Sequence, residues 1–364
     1  MKQPIPSSIR LRKEDFQSLG LNPVRVELWE DGMRTDGGRG SYEWWYFDSH
    51  LDDGGKLVIV FLTKSFVTPN RPLTPTITLQ YDAPDGTHYE EMLTFPATQF
   101  SASRERCDVR MGDNVFSGDL NRYTIRLAGK QICAELTLTG RVPAWRPGTG
   151  QIFFGKHDEH FFAWLPSVPE GNVEGELTIN GQKQRIVGTG YHDHNWGNVS
   201  MLSLMNHWYW GRAKIGEYTV ISSFITAEKK YGYRTFPVFL LAKNGVMVAQ
   251  SSLDSPVFAQ RGEHLDGFTK KPVHDELVYD HTNGNERYVV TYRREKDLLR
   301  TRFADTLPLP TRLLAKLIGF SGAYLRFTGT AGLEHYENGA LTERVSDPAI
   351  WELMYFGHTQ KSQQ

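Results

Sequence analysis

The stretch Trp44-Trp45-Tyr46-Phe47, followed by Asp53-Gly54-Gly55 and then Leu57-Val58-Ile59-Val60-Phe61-Leu62, decides the fold. An aromatic run, a glycine turn and a β-branched run make an antiparallel hairpin. The same grammar continues along the chain. Lys56 to Leu62, Thr76 to Tyr81, Tyr123 to Leu127, Ile132 to Leu138, Gly175 to Ile179 and Arg185 to Val187 read as strands. So do Tyr218 to Ile225, Val238 to Leu241, Val246 to Gln250, Leu277 to Tyr279, Tyr288 to Tyr292 and Tyr324 to Leu333. Between them lie Pro84-Asp85-Gly86, Asn180-Gly181, Lys243-Asn244-Gly245 and Asn283-Gly284, all hairpin-type turns. One short helix is expected near the C-terminus, with Thr311 capping Arg312 to Ile318 and Gly319 ending it. The expectation is an all-β protein built of antiparallel barrels or sandwiches.

The opening aromatic run has an echo in His207-Trp208-Tyr209-Trp210, which precedes the Tyr218 to Ile225 strand. Its offset, 207 − 44 = 163 residues, is near half of the 364-residue chain. Two tandem β-domains of similar plan would produce it, with boundaries at residues 1–200 and 201–364. Small-molecule sites favour such domain junctions, and the boundary falls beside the richest motif in the chain.

Bulk properties exclude several classes. The 41 Lys and Arg balance 42 Asp and Glu, a formal net charge of -1. That offers no basic field for nucleic acid. The densest basic group, Arg293-Arg294-Glu295-Lys296, is broken by acid and reads as a solvated face. Cys107 and Cys133 are too few for a disulfide scaffold, and two free thiols are expected. Met1-Lys2-Gln3-Pro4-Ile5-Pro6 lacks the apolar stretch of a signal peptide, and no apolar run reaches membrane-spanning length. The chain reads as cytoplasmic, without stable membrane insertion.

That richest motif is Gly188-Thr189-Gly190-Tyr191-His192-Asp193-His194-Asn195-Trp196-Gly197. Its glycines suggest a tight turn. The crowded side chains can supply a proton, hold a metal or orient a polar group. A lesser, purely structural reading is a turn in which Asp193 and Asn195 satisfy its own backbone while the histidine rings cover Trp196.

Gly190 to Gly197, Ser41-Tyr42-Glu43-Trp44-Trp45-Tyr46-Phe47-Asp48 and His207-Trp208-Tyr209-Trp210-Gly211-Arg212 together resemble the lipocalin-like carotenoid 1,2-hydratases (hydroxyneurosporene synthases). That family takes in the AttH-type proteins and is related to fungal Diels–Alder cyclases. The likeness runs from about residue 40 to Trp351-Glu352-Leu353. It implies two tandem lipocalin-like β-domains, and an enzyme of lyase or isomerase type acting on a hydrophobic isoprenoid or polyene. Carotenoid hydratases place an aspartate after Gly-Tyr, which here is Asp193. The two flanking histidines resemble the AttH-type branch instead.

A carboxyl among aromatic rings keeps its proton, so Asp193 is the expected acid, with His192 and His194 donating hydrogen bonds to it or moving a proton. Glu43, Trp44, Trp45, Tyr46, Tyr191, Asn195, Trp196, His207, Trp208, Tyr209 and Trp210 are the expected substrate contacts. Their ring faces suit a developing cation, and Arg212 is a further candidate for holding a polar end. The expected reaction is acid-initiated hydration or cyclisation at the domain junction, with no cofactor and no metal. Alternatives are a pericyclase that works by shape and a carrier of an apolar ligand. A metal held by His192-Asp193-His194 with His157-Asp158-Glu159-His160 is the rival use of the same residues. Gly319-Phe320-Ser321-Gly322-Ala323 misses the Gly-x-Ser-x-Gly elbow, and no dinucleotide or Walker fingerprint appears.

Overall fold

The computed structural model describes residues 3–252, 255–306 and 320–357. The helix expected over Arg312 to Ile318 lies outside the described residues. Within them the one α-helix is Lys13–Ser18, and antiparallel strand dominates, as the sequence implies. No helix among the described residues is long and apolar enough to cross a membrane. Cys107 and Cys133 are free thiols, the first buried and the second partly so.

The chain divides into two compact units. Ser8–Phe153 with His157–Ser200 form the first, and the chain from Met201 onward, with Phe154–Lys156 and the residues before Ser8, forms the second. The first unit holds one long sheet. Its strand order is His88–Thr94, Thr76–Asp82, Lys56–Leu62, Tyr42–Leu51, Gln182–Gly197, His160–Ile179, Ile132–Gly140, Arg122–Ala128, Asn114–Gly118, Asp108–Met111, Phe100–Ala102. Buried and half-buried residues alternate along Lys56–Leu62 and Thr76–Asp82, as a one-sided strand requires.

This sheet curls until distant strands share a core. Phe61, three strands from one end, packs its ring edge-on to Phe116 near the other, 5.7 Å between centroids. Glu91 on the edge strand closes the curl by accepting the backbone N–H groups of Lys130 (2.6 Å), Gln131 (2.9 Å) and Ile132 (3.1 Å). Burial pushes this carboxyl up, but the three donors outweigh it and hold the group below its usual range.

The second unit repeats the plan in a main sheet that has nine strands among the described residues. Their order is Val246–Gln250, Thr235–Lys243, Tyr218–Ala227, Met205–Ile215, Ala340–Tyr355, Ala323–Glu337, Glu286–Arg302, Glu276–Asn283, Val257–Arg261. In both sheets an opening four-strand meander is joined, through its first strand, to the last strand of the unit. Phe224 and Phe258, from well-separated strands, stack at 3.8 Å, so this sheet also curls. Asn180-Gly181 and Asn244-Gly245 make two-residue turns with φ of 50° and 82° in each case, the left-handed values such hairpins need.

The aromatic echo is real but one residue out of step. Trp45 and Phe47 lie in the first core, whereas in the second unit Tyr209 lies in the core and Trp208 and Trp210 point to the opposite face. Matching faces pairs Trp45 with Tyr209, an offset of 209 − 45 = 164. An odd slip swaps every side chain between faces, so the sequence offset of 163 pairs residues that do different jobs.

Candidate functional site

Gly188 to Gly197 is not a turn. It is the end of the 16-residue strand Gln182–Gly197, paired with Tyr42–Leu51 on one side and His160–Ile179 on the other. The glycines are there for room. A Cβ on Gly197 would sit 2.4 Å from Tyr42 Oη, and one on Gly190 2.4 Å from Val173 Cγ2. The motif therefore obeys a period of two. Tyr191, Asp193 and Asn195 face one side, while His192, His194 and Trp196 face the other. His192 and His194 do not hydrogen-bond Asp193, because they lie across the sheet from it.

On the core side the histidines meet two buried carboxyls. His192 Nδ1 lies 2.8 Å from the Tyr46 carbonyl and so donates to it. Its Nε2 lies 3.2 Å from Asp31, which also accepts the Tyr123 hydroxyl at 2.5 Å. His194 Nε2 lies 2.7 Å from Glu43. Glu43 further accepts from Arg34 N (2.6 Å), Thr35 N (2.9 Å) and Thr35 Oγ1 (2.7 Å). Burial pushes Asp31 up, but His192, His194 and Tyr123 outweigh it and hold the carboxyl below its usual range. Trp45 stacks on His194 at 4.7 Å, and Trp196 packs with Ala163 and Leu165. Asp31, Cys107 and His192 bring ligand-type atoms within 4.8 Å of one another. As placed, Asp31 and His192 are partnered by hydrogen bonds.

The opposite face holds Asp193. Asp193 is buried and accepts three donors: the Tyr191 hydroxyl at 2.7 Å, Trp164 Nε1 at 2.8 Å and the Asn195 amide at 2.6 Å. Burial pushes its carboxyl up to about 6, against the pull of Tyr191, Trp164, His192 and Asn195. Burial also lifts the Tyr191 phenol well above its usual value, with Asp193 adding to the shift. Around them stand Tyr46, edge-on to Tyr191 at 6.1 Å, and Trp44, stacked on Tyr42 at 5.7 Å and 6.3 Å from Phe162. Asp48 lies on the same face, accepting the Tyr46 hydroxyl at 3.3 Å.

Of the expected contacts, this face brings together Trp44, Tyr46, Tyr191, Asp193 and Asn195. Glu43, Trp45, His192, His194 and Trp196 sit behind it in the core face. In the second unit, Trp208 and Trp210 share a face with Arg212 and Glu352, and Tyr209 turns into the core with its hydroxyl 3.0 Å from His274 Nδ1. Burial, aided by His274 and Lys271, lowers His207 to about 3, and its nitrogens engage Asn206 and Thr226. His157-Asp158-Glu159 form the connection that leads into the strand His160–Ile179: Arg10 pairs with Asp158, and Glu159 accepts the His157 N–H at 3.2 Å.

Sequence reasoning missed Trp164. It lies opposite Asn195 and diagonal to Asp193. The strand bulges just beyond it, between Leu165, Val168 and Gly171. Pro166 and Pro169 fall at these bulges, where a missing N–H is tolerated. Those prolines hid the strand, although the apolar run Phe161 to Leu165 marks it. Asp31 and Tyr123 carried no local signal, being far apart in the chain.

Asp193 thus stands as a buried, three-donor carboxyl on an aromatic face of a curled antiparallel sheet. Comparison with known proteins gives the following likenesses. A family model described as Diels-Alderase-like matches residues 118–264. The quinolone epoxide rearrangement protein asqO of Emericella nidulans is 24% identical over 324 residues, covering 84% of this chain and 83% of that protein. The hydroxyneurosporene dehydrogenase of Chlorobaculum tepidum is 27% identical over 218 residues, 48% of this chain and 53% of that protein, so the chain spans about half of that relative's length. The crystal structure of CghA with Sch210972 superposes with a TM-score of 0.61 at 15% identity, over 88% of this chain and 90% of that one. The resemblance stated from Gly190 to Gly197 and Glu43 to Asp48 is borne out.

Proposed function

We propose that this chain is an enzyme of lyase or isomerase type that holds a hydrophobic small molecule, of isoprenoid or polyene character, against the aromatic face around Asp193. Asp193 gives a proton to a carbon–carbon double bond, and the ring faces of Trp44 and Tyr46 lower the energy of the cation that forms. The observation that carries this reading is the buried Asp193 carboxyl among Tyr191, Trp164 and Asn195. A protonated carboxyl in such surroundings is a strong enough acid only because its anion, once formed, has three donors waiting. The name of one relative, a quinolone epoxide rearrangement protein, supports rearrangement of a small molecule. We place the activity in the cytoplasm and the two functional halves at residues 1–200 and 201–364.

The Diels-Alderase-like family match favours a second reading, a pericyclase that works by shape. Turnover of a panel of isoprenoid alcohols and polyenes by wild type and Asp193→Asn separates the two. Loss of about 10²–10⁴ in rate is expected for proton-initiated chemistry. Turnover within a few-fold of wild type would transfer the assignment to the pericyclase.

A further inference from the structure

Asp193 is not the only carboxyl on the aromatic face. Asp48 and Asp193 are both buried, each 7% exposed. Register fixes their relation: Asp48 lies directly opposite Tyr191, and Asp193 directly opposite Tyr46. They are therefore diagonal neighbours on one face, their α-carbons roughly 7–8 Å apart. The two tyrosines occupy the other corners of this square. Tyr191 donates to Asp193 at 2.7 Å and Tyr46 to Asp48 at 3.3 Å, their rings 6.1 Å apart.

We propose that Asp48 is the second proton-transfer residue of this face, bracketing a substrate cation together with Asp193. This rests on the acid role of Asp193 given above. The diagonal placement suits the task, since two carboxyls that share one face can act on neighbouring carbons of one substrate. In the first step the Asp193 O–H bond breaks and a C–H bond forms at one alkene carbon, leaving a cation on the next. In the second, the Asp48 carboxylate removes a proton from an adjacent carbon, whose C–H electrons become a new double bond. In the hydration variant Asp48 takes the proton from a water whose oxygen bonds the cation. Either way one proton enters and one leaves, the proton on Asp48 passes to solvent, and solvent reprotonates Asp193. No oxidant or co-reactant is needed. A face with two carboxyls and several rings thus selects substrates that develop positive charge, and it should bind an apolar ammonium better than its neutral counterpart.

That preference is measurable without the natural substrate. N,N-dimethyldodecylamine, protonated at pH 7.5, serves as the cationic probe and 1-dodecanol as the neutral one, both followed by tryptophan fluorescence. Wild type is expected to favour the ammonium by about tenfold or more, as ring faces and a carboxylate act together. Asp48→Asn should lose about tenfold in ammonium affinity and keep dodecanol binding within about twofold, and Asp48→Glu should restore the preference. Unchanged ammonium binding in Asp48→Asn would overturn the proposal. So would equal loss of both probes in a folded Asp48→Asn that Asp48→Glu does not rescue, the mark of a merely structural residue. If wild type binds neither probe, the apolar-face reading itself fails. With any polyene that wild type converts in heavy water, Asp48→Asn should still take up deuterium while product formation falls, whereas Asp193→Asn should stop both. Deuterium uptake and product formation falling together in Asp48→Asn would also count against the proposal.

Discussion

The two sheets share a plan and differ in what they bury. In the first, the strands Tyr42–Leu51 and Gln182–Gly197 put Glu43, His192 and His194 on the core side, where Asp31 from the turn Leu28–Asp31 meets them, and Asp48 and Asp193 on the other. In the second, Met205–Ile215 and Ala340–Tyr355 put Tyr209, Trp351, Leu353 and Tyr355 in the core, with His207 kept neutral beside them. One topology thus hosts an ionic core in one case and an aromatic core in the other. Topology sets which residues share a face, and residue choice sets the chemistry.

The largest effect should come from breaking the ionic core. Glu43→Ala removes the acceptor of four donors and leaves His194 and the Arg34 and Thr35 amides unpaired inside the sheet. A loss of about 3–5 kcal/mol is expected in urea denaturation. A loss below about 1 kcal/mol would show that water reaches this core. Next, Trp164→Phe removes the indole donor from Asp193 but keeps the packing. The anion loses one of its three partners, and about a tenfold fall in turnover follows, with the alkaline limb of the rate profile moving up from about pH 6. Movement of the limb downward would contradict the assigned hydrogen bond.

Folding stability should respond to pH with opposite signs in the two units. Asp193, raised to about 6 by burial, binds its proton more tightly folded than unfolded. Its contribution is complete below pH 3.8 and is lost as pH rises through about 6. His207, lowered to about 3, does the reverse: the unfolded chain takes up its proton first, so stability falls as pH drops below 6.5. Asp193→Asn should therefore gain about 1–2 kcal/mol over wild type at pH 8, a gain that shrinks toward pH 4. His207→Gln should lessen the acid sensitivity by about 1 kcal/mol at pH 5. Denaturation at three pH values checks both signs. The smallest effect is Tyr209→Phe, which gives up one buried hydrogen bond to His274, about 1 kcal/mol, and should leave the Asp193 rate profile unmoved.

Much of this fold is legible in the sequence. Val246–Gln250 and Lys56–Leu62 match the expected strands end to end, and Asn180-Gly181 turns where its residues require. What misleads is glycine. In Gly188 to Gly197 it marks tight packing and not a bend, and the alternation of His192 and His194 with Asp193 and Asn195 was the better guide. Asp193 is marked in the sequence by its place between two histidines and close to Trp196. Trp164 does not stand out, since its meeting with the motif depends on register between two strands, and Asp31 does not, since it sits in a helical turn far from His192 in the chain. Local sequence reports which face a side chain takes, while the partner across the sheet follows from topology.

The central claim is that Asp193 delivers a proton to carbon. It is tested most directly by running the converted substrate in heavy water and locating deuterium in the product by mass spectrometry and NMR. The account predicts one deuterium bound to carbon for each turnover by wild type, and none from Asp193→Asn. Product formed at the normal rate with no deuterium on carbon would contradict it and leave a shape-driven cyclase in its place.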